Sequence, residues 1–293
     1  MQSWAFYSID SGVRRNGSFR TSLINGNNWT LHVAYDTPLT FLLNMRNIIE
    51  TVQKTLKTES SEAVRKSAQR FFKGDNKIKL HGVKSADVKK IAKRYCVEVK
   101  HLPKEQLFDL CETFMRSGYL EEFSIACTWM SHTHKDLKPK DWTVIDRWID
   151  SYITNWAACD VFCCGGMGKG GTVAAFLEMY PQYVKKLRTW AKSKNLWKRR
   201  AAAVSLVGSA RRGLFHDEVF ALAEILLLDS EDMVQKGYGW MLKEAGNFDE
   251  QAVFQFVMKH KAVMPRTALR YAIEKMPKNF KEQAMRKGIE SAK

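Results

Sequence analysis

The chain has 293 residues, 45% of them hydrophobic and 12% aromatic, with only 17 glycines and 6 prolines: enough apolar material for a sizeable core and too little linker chemistry for a mostly disordered protein. Its 47 lysines and arginines against 31 aspartates and glutamates leave a formal net charge of +16, which favours a polyanionic partner, since basic surfaces bind nucleic acid by releasing counterions without sequence readout. No apolar run approaches the ~20 residues of a membrane span and no secretory signal opens the chain, so a soluble, cytoplasmic protein is expected.

Residues 1–44 alternate Asn, Ser, Thr and Gly with isolated aromatics and show no helical period. They read as a poorly structured N-terminal extension to a helical domain over 45–293, with Met45 the expected functional start. From Ile48, Ile49, Val52 and Leu56 onward apolar residues recur at helical intervals. A helix is predicted over 62–72, closed by the turn residues Gly74-Asp75-Asn76. After the His81-Gly82-Val83 loop, Ser85 is the expected N-cap of a helix running to about Tyr95. Pro103 opens the next, with Leu107, Leu110, Cys111 and Phe114 as its buried stripe. Helices at 121–132 and 141–152 flank a Lys-Pro-Lys turn. Beyond the segment that carries Trp156, helices are predicted over 172–179, 183–192, 196–210, 217–228, 233–244, 250–259 and 265–274.

The glycine-rich stretch 165–171 lacks the spacing of a phosphate-binding P-loop, because Lys169 is followed by glycine and both flanks are helical. It reads as an interhelix loop whose backbone amides are able to meet a DNA phosphate. Cys96, Cys111, Cys127, Cys159, Cys163 and Cys164 are too sparse for a secreted disulfide scaffold. The last three crowd together without a histidine or second cysteine pair at zinc-ligand spacing, so they read as reduced thiols with no metal site. A basic residue followed by small ones recurs at Arg199-Arg200-Ala201, Lys236-Gly237 and Arg266-Thr267-Ala268, at intervals of about 30 to 36 residues, the length of one helical hairpin in a solenoid. The expected fold is therefore all-α, a right-handed, curved stack of antiparallel helix pairs with a concave basic face.

The segment Asn155-Trp156-Ala157-Ala158-Cys159-Asp160 carries the strongest chemical signal. On a helix, the four-residue spacing puts an indole and a carboxylate on one face, one turn apart. On the pattern alone Asp160 reads as a catalytic acid, a helix cap or the partner of an arginine, and Trp156, Trp197 and Trp240 read as binding or core aromatics.

Asn155-Trp156-x-x-x-Asp160, Trp197-Lys198-Arg199-Arg200-Ala201-Ala202 and the segment from Gln235 to Glu244, preceded by His81-Gly82-Val83-Lys84, resemble the signature segments of the AlkD branch of the DNA alkylation repair glycosylases over roughly residues 46–280. The resemblance implies a HEAT-like helical-repeat solenoid, acting as a monomer on alkylated double-stranded DNA with neither metal nor organic cofactor. It implies hydrolysis of the N-glycosidic bond of N3- or N7-alkylated purines, with the damaged base left stacked. Asp160 is then the acid that stabilises the sugar cation and orients water, with Trp156 and Trp240 against the deoxyribose. Arg200 grips the DNA backbone, with Arg199, Lys236, Lys169 and Arg266 as further DNA contacts. Ala157, Ala158 and Gly237 depart from residues common in that family. Two other functions compete with this one: a non-catalytic repeat module for nucleic acid or an acidic protein, and a general HEAT scaffold.

Overall fold

The computed structural model describes residues 38–72, 78–165 and 170–286. Most of the 1–44 stretch, the Gly74-Asp75-Asn76 turn and Lys169 lie outside the described residues. The chain divides after Thr51, within its first helix. That helix, α1 (Pro38–Thr58), begins ahead of Met45, where the apolar period starts in the sequence. A proline is tolerated in the first helical turn because its missing N–H is unused there.

From Val52 on, the chain runs through α2 (Glu62–Gln69), α3 (Ser85–Val99), α4 (Lys104–Ser117), α5 (Leu120–Met130), α6 (Trp142–Tyr152), α7 (Trp156–Cys163), α8 (Thr172–Met179), α9 (Leu187–Trp190), α10 (Leu196–Val204), α11 (Val207–Arg211), α12 (His216–Ile225), α13 (Asp232–Ala245), α14 (Glu250–His260), α15 (Arg266–Ala272) and α16 (Lys278–Met285). Short 3₁₀ turns lie at Ser131–Asp136, Pro139–Asp141 and Pro181–Lys186. Among the described residues there is no strand, only an isolated bridge between Lys79 and Tyr119.

The helix ends follow from local chemistry. Asn155, Asn195 and Asp249 each accept a backbone N–H of the first turn they precede, at 2.9, 2.9 and 2.8 Å, which satisfies donors that no helical carbonyl reaches. Gly118 closes α4 in the left-handed conformation, φ 77°, where glycine escapes the Cβ clash. Ser85, expected as an N-cap, is instead the first residue of α3; the cap position is Lys84, and its carbonyl takes the amides of Asp87 and Val88. The helix expected over 196–210 breaks at Ser205-Leu206, where the Ser205 hydroxyl donates back to the Ala201 carbonyl at 2.7 Å, a bond that bends helices.

Packing follows two interleaved rows. In one, α3, α5, α7, α10, α13 and α15 each contact the next; the other includes the packed pairs α9 with α12 and α14 with α16. Helices consecutive in the chain join the rows, as α4 with α5 and α12 with α13 do. Many side-chain bonds join neighbouring repeats, as between Arg199 and Asp229, 30 residues apart, and Lys198 and Asp150, 48 apart. This is a helical-repeat solenoid, as the sequence period predicts. Trp129, Trp148, Phe114, Phe162 and Phe176 are fully buried between the rows, and the Trp129 indole donates to the Ala92 carbonyl at 2.8 Å, tying α5 to α3. No helix of the described residues is long and apolar enough to cross a membrane.

Candidate active site

The site grows from the N-terminus of α7. The Asn155 cap fixes where the helix starts, so Trp156 is its first residue and Asp160 stands one turn along the same face. The apolar remainder of α7, with Ala158, Cys159, Phe162 and Cys163 buried, pins that face against the neighbouring repeats.

The Asp160 carboxylate is gripped by an arginine 40 residues away. Arg200 on α10 donates Nε to one carboxylate oxygen at 3.0 Å and Nη2 to the other at 2.9 Å, the fork geometry in which guanidinium pairs are strongest. Its Nη1 donates to the Met233 carbonyl at the start of α13, at 2.5 Å. One side chain thus links three successive helices of the row. Gly237 makes room for it, since a Cβ there would lie 3.3 Å from Arg200 Cγ. Met233, Gly237 and Trp240 fall at i, i+4 and i+7 and share a face of α13. Half-buried Trp240 therefore stands one turn beyond the Arg200 contact.

Only 6% of the Arg200 side chain and 16% of that of Asp160 remain exposed. Burial pushes the Asp160 carboxyl above the usual carboxylate range, while the adjacent Arg200 charge and hydrogen bonds pull it down. Burial likewise opposes the guanidinium charge, but Asp160 more than compensates and Arg200 is raised. The result is a desolvated carboxylate under tight control, the condition in which a fixed charge acts most strongly on its surroundings.

The DNA-contact candidates separate on inspection of their partners. Arg200 commits three of its five N–H donors inside the protein, to Asp160 and the Met233 carbonyl. Arg199 holds Asp229 with Nε at 2.6 Å and caps the carbonyls of Ser193 and Lys194, so it too serves the structure. Lys236 pairs with Asp232 one turn back at 2.6 Å and stays a third exposed. Arg266 is exposed and donates to the Met285 carbonyl at 3.2 Å. Trp197 is buried at 9% exposure, a core aromatic rather than part of the site.

Other groups hold or flank these residues. Trp156 is held from the chain just beyond α2, through its indole N–H and a stacked Phe72. The His81-Gly82-Val83 loop is fixed by Glu121, whose carboxylate accepts all three of its backbone amides at 2.9 to 3.3 Å. Lys89, Lys93 and Arg94 of α3 are exposed cations in a run of four basic residues within six. Burial raises the thiols of Cys159 and Cys164 above their ordinary range, which leaves them protonated and inert. Among the described residues no three His, Cys, Asp or Glu side chains cluster as metal ligands.

These observations define a class: an all-helical repeat protein that carries a desolvated acid on one of its stacked helices. The sequence model of the DNA alkylation repair enzymes matches residues 52–276. The chain belongs to that family. A solved structure described as a predicted DNA alkylation repair enzyme from Enterococcus faecalis superposes with a TM-score of 0.63 at 13% identity, over 75% of this chain and 98% of that one; at such identity the likeness is one of fold. No curated protein matches the chain. Family membership gives the protein a role in DNA alkylation repair, with DNA as its substrate.

Proposed function

We propose that the protein is a DNA glycosylase that hydrolyses the N-glycosidic bond of N3- or N7-alkylated purines in duplex DNA, without extruding the base. The observation that carries the reading is the Asp160 carboxylate, held at two points by Arg200 and one helical turn from the half-buried Trp156. Alkylation of a ring nitrogen makes the purine cationic, so it leaves with the bonding electrons and becomes neutral without being protonated. The deoxyribose that remains develops positive charge at its anomeric carbon. Preorganised negative charge beside that carbon lowers the barrier because it reorganises little during the reaction. Asp160 supplies that charge and orients the water whose oxygen bonds to the anomeric carbon, its proton passing to solvent. Trp156 and Trp240 offer ring faces to the same cation, an attraction of about 1–2 kcal/mol each.

Arg200 in this reading is a positioning residue rather than a DNA contact. It opposes the burial that favours the neutral form of Asp160 and fixes the direction of its free lone pairs. Lys236, Arg266, Lys169 and the α3 cations are the groups proposed to meet phosphates.

Chromatography of bases released from a duplex treated with a methylating agent tests the substrate class. The expected products are 7-methylguanine and 3-methyladenine, with O6-methylguanine left in the DNA because it is uncharged. Release of neutral adducts at a comparable rate would contradict the mechanism, and salt-sensitive binding with no release would favour a non-catalytic module.

A further inference from the structure

We propose that α2 belongs to the site and that Phe72 is a positioning residue for the Trp156 indole. The inference rests on the glycosylase reading for what Trp156 does to substrate, but the contact stands independently of it. Trp156 leads α7, so no preceding turn of its own helix supports the ring. Support comes from the chain just beyond α2. The Phe72 ring stacks on the indole with centroids 5.3 Å apart and planes 17° from parallel. The indole Nε1–H donates to the Phe71 carbonyl at 3.3 Å. Together a stack and a hydrogen bond fix both the plane and the rotation of the ring. Both matter if a cation is to sit over its face, since the attraction depends on the charge lying above the ring.

α2 is well suited to be set by this contact because little else holds it. None of its residues is buried, and Val64 and Ala68 line a cavity of about 240 Å³ whose far wall includes Val88, Ala157 and Val161. At its N-terminal end the amide of Ser61 donates to the Gly82 carbonyl at 2.9 Å. Gly82 has φ +90°, and a Cβ there would lie 2.5 Å from the Ser61 carbonyl oxygen, so the approach requires glycine. At its C-terminal end the tie is Phe71 and Phe72 to Trp156. The position of α2 over the cavity and the plane of the indole are therefore set jointly, and loosening one loosens the other.

The test uses the full chain labelled with 5-fluorotryptophan, in the wild type and in Phe72→Ala, Phe72→Tyr and Trp156→Phe variants. Trp156→Phe assigns the Trp156 fluorine signal by its disappearance. Phe72→Ala is expected to move that signal while leaving that of Trp240 in place, and Phe72→Tyr, which keeps the stack, to restore it. Single-turnover base release should fall roughly 10- to 100-fold in Phe72→Ala, the effect of misplacing a reacting group by about an ångström, with affinity for undamaged duplex unchanged. A Trp156 signal indifferent to Phe72→Ala overturns the proposal, as does an unchanged rate in a preparation whose wild type releases base. Should the wild type release none, it is the glycosylase reading that fails, and the fluorine signal alone decides the contact.

Discussion

Arg200 is the residue at which sequence and structure point to different roles. Between Lys198-Arg199 and a run of alanines it looks like a cation offered to a phosphate, yet it is 5% exposed and commits three donors to Asp160 and Met233. The two readings predict different losses. A phosphate contact removed by Arg200→Leu would weaken DNA binding and reduce its salt dependence. A positioning residue removed by the same change leaves a buried carboxylate without its cation, which costs about 3–5 kcal/mol of stability. It also removes the influence that lowers the Asp160 pKa, while desolvation, which raises it, remains. Activity that requires the ionised acid is lost as pH falls through that pKa, so the acid limb of the single-turnover pH profile should move to higher pH in Arg200→Leu. An acid limb that stays in place, with weakened DNA affinity instead, would restore the phosphate role. Two of the roles the sequence allows Asp160, arginine partner and catalytic acid, turn out to be compatible. The partner is illegible from spacing alone, because 40 residues separate the two and only the register of stacked repeats brings them together.

At the scale of the element, the row α3, α5, α7, α10, α13 and α15 depends on how closely its helices approach. Helix existence was legible from apolar period and capping residues as far as residue 274, with most boundaries within a few residues of those expected, whereas α16 was not foreseen. The interruptions were not, since the break at Ser205 and the 3₁₀ turn at Pro181–Lys186 arise from local hydrogen bonding inside stretches whose apolar period continues. Nor did the sequence distinguish its glycines. On Gly239 of α13 a Cβ would lie 2.7 Å from Tyr271 Cβ and 2.8 Å from the Ala268 carbonyl oxygen of α15; on Gly208 of α11 it would meet nothing nearer than 4.0 Å. Overpacking costs about 1–3 kcal/mol and alanine gains up to ~1 kcal/mol over glycine in a helix. Gly239→Ala should therefore lower stability by roughly 1–2 kcal/mol in urea titration, whereas Gly208→Ala should be neutral or stabilising. Equal effects at the two positions would mean that α13 and α15 are not in close contact.

For the molecule as a whole, the charge of +16 and the repeat interval already pointed to an all-helical array for a polyanion, and the family match over 52–276 agrees with both. What composition does not reveal is how much of that charge is consumed internally. Arg199, Arg200, Lys198 and Lys243 face carboxylates one repeat away, which leaves α3, Lys236 and Arg266 among the cations nearer the surface. The proposed function depends on a carboxylate that accelerates bond cleavage rather than one that merely holds helices together. Asp160→Asn preserves the shape of the side chain and removes its charge, so comparing its single-turnover base release with that of the wild type, on duplex containing 7-methylguanine at matched affinity, is the most direct test. Loss of at least ~100-fold, the scale of a removed electrostatic stabiliser, is the predicted result; equal rates in the two proteins would contradict it.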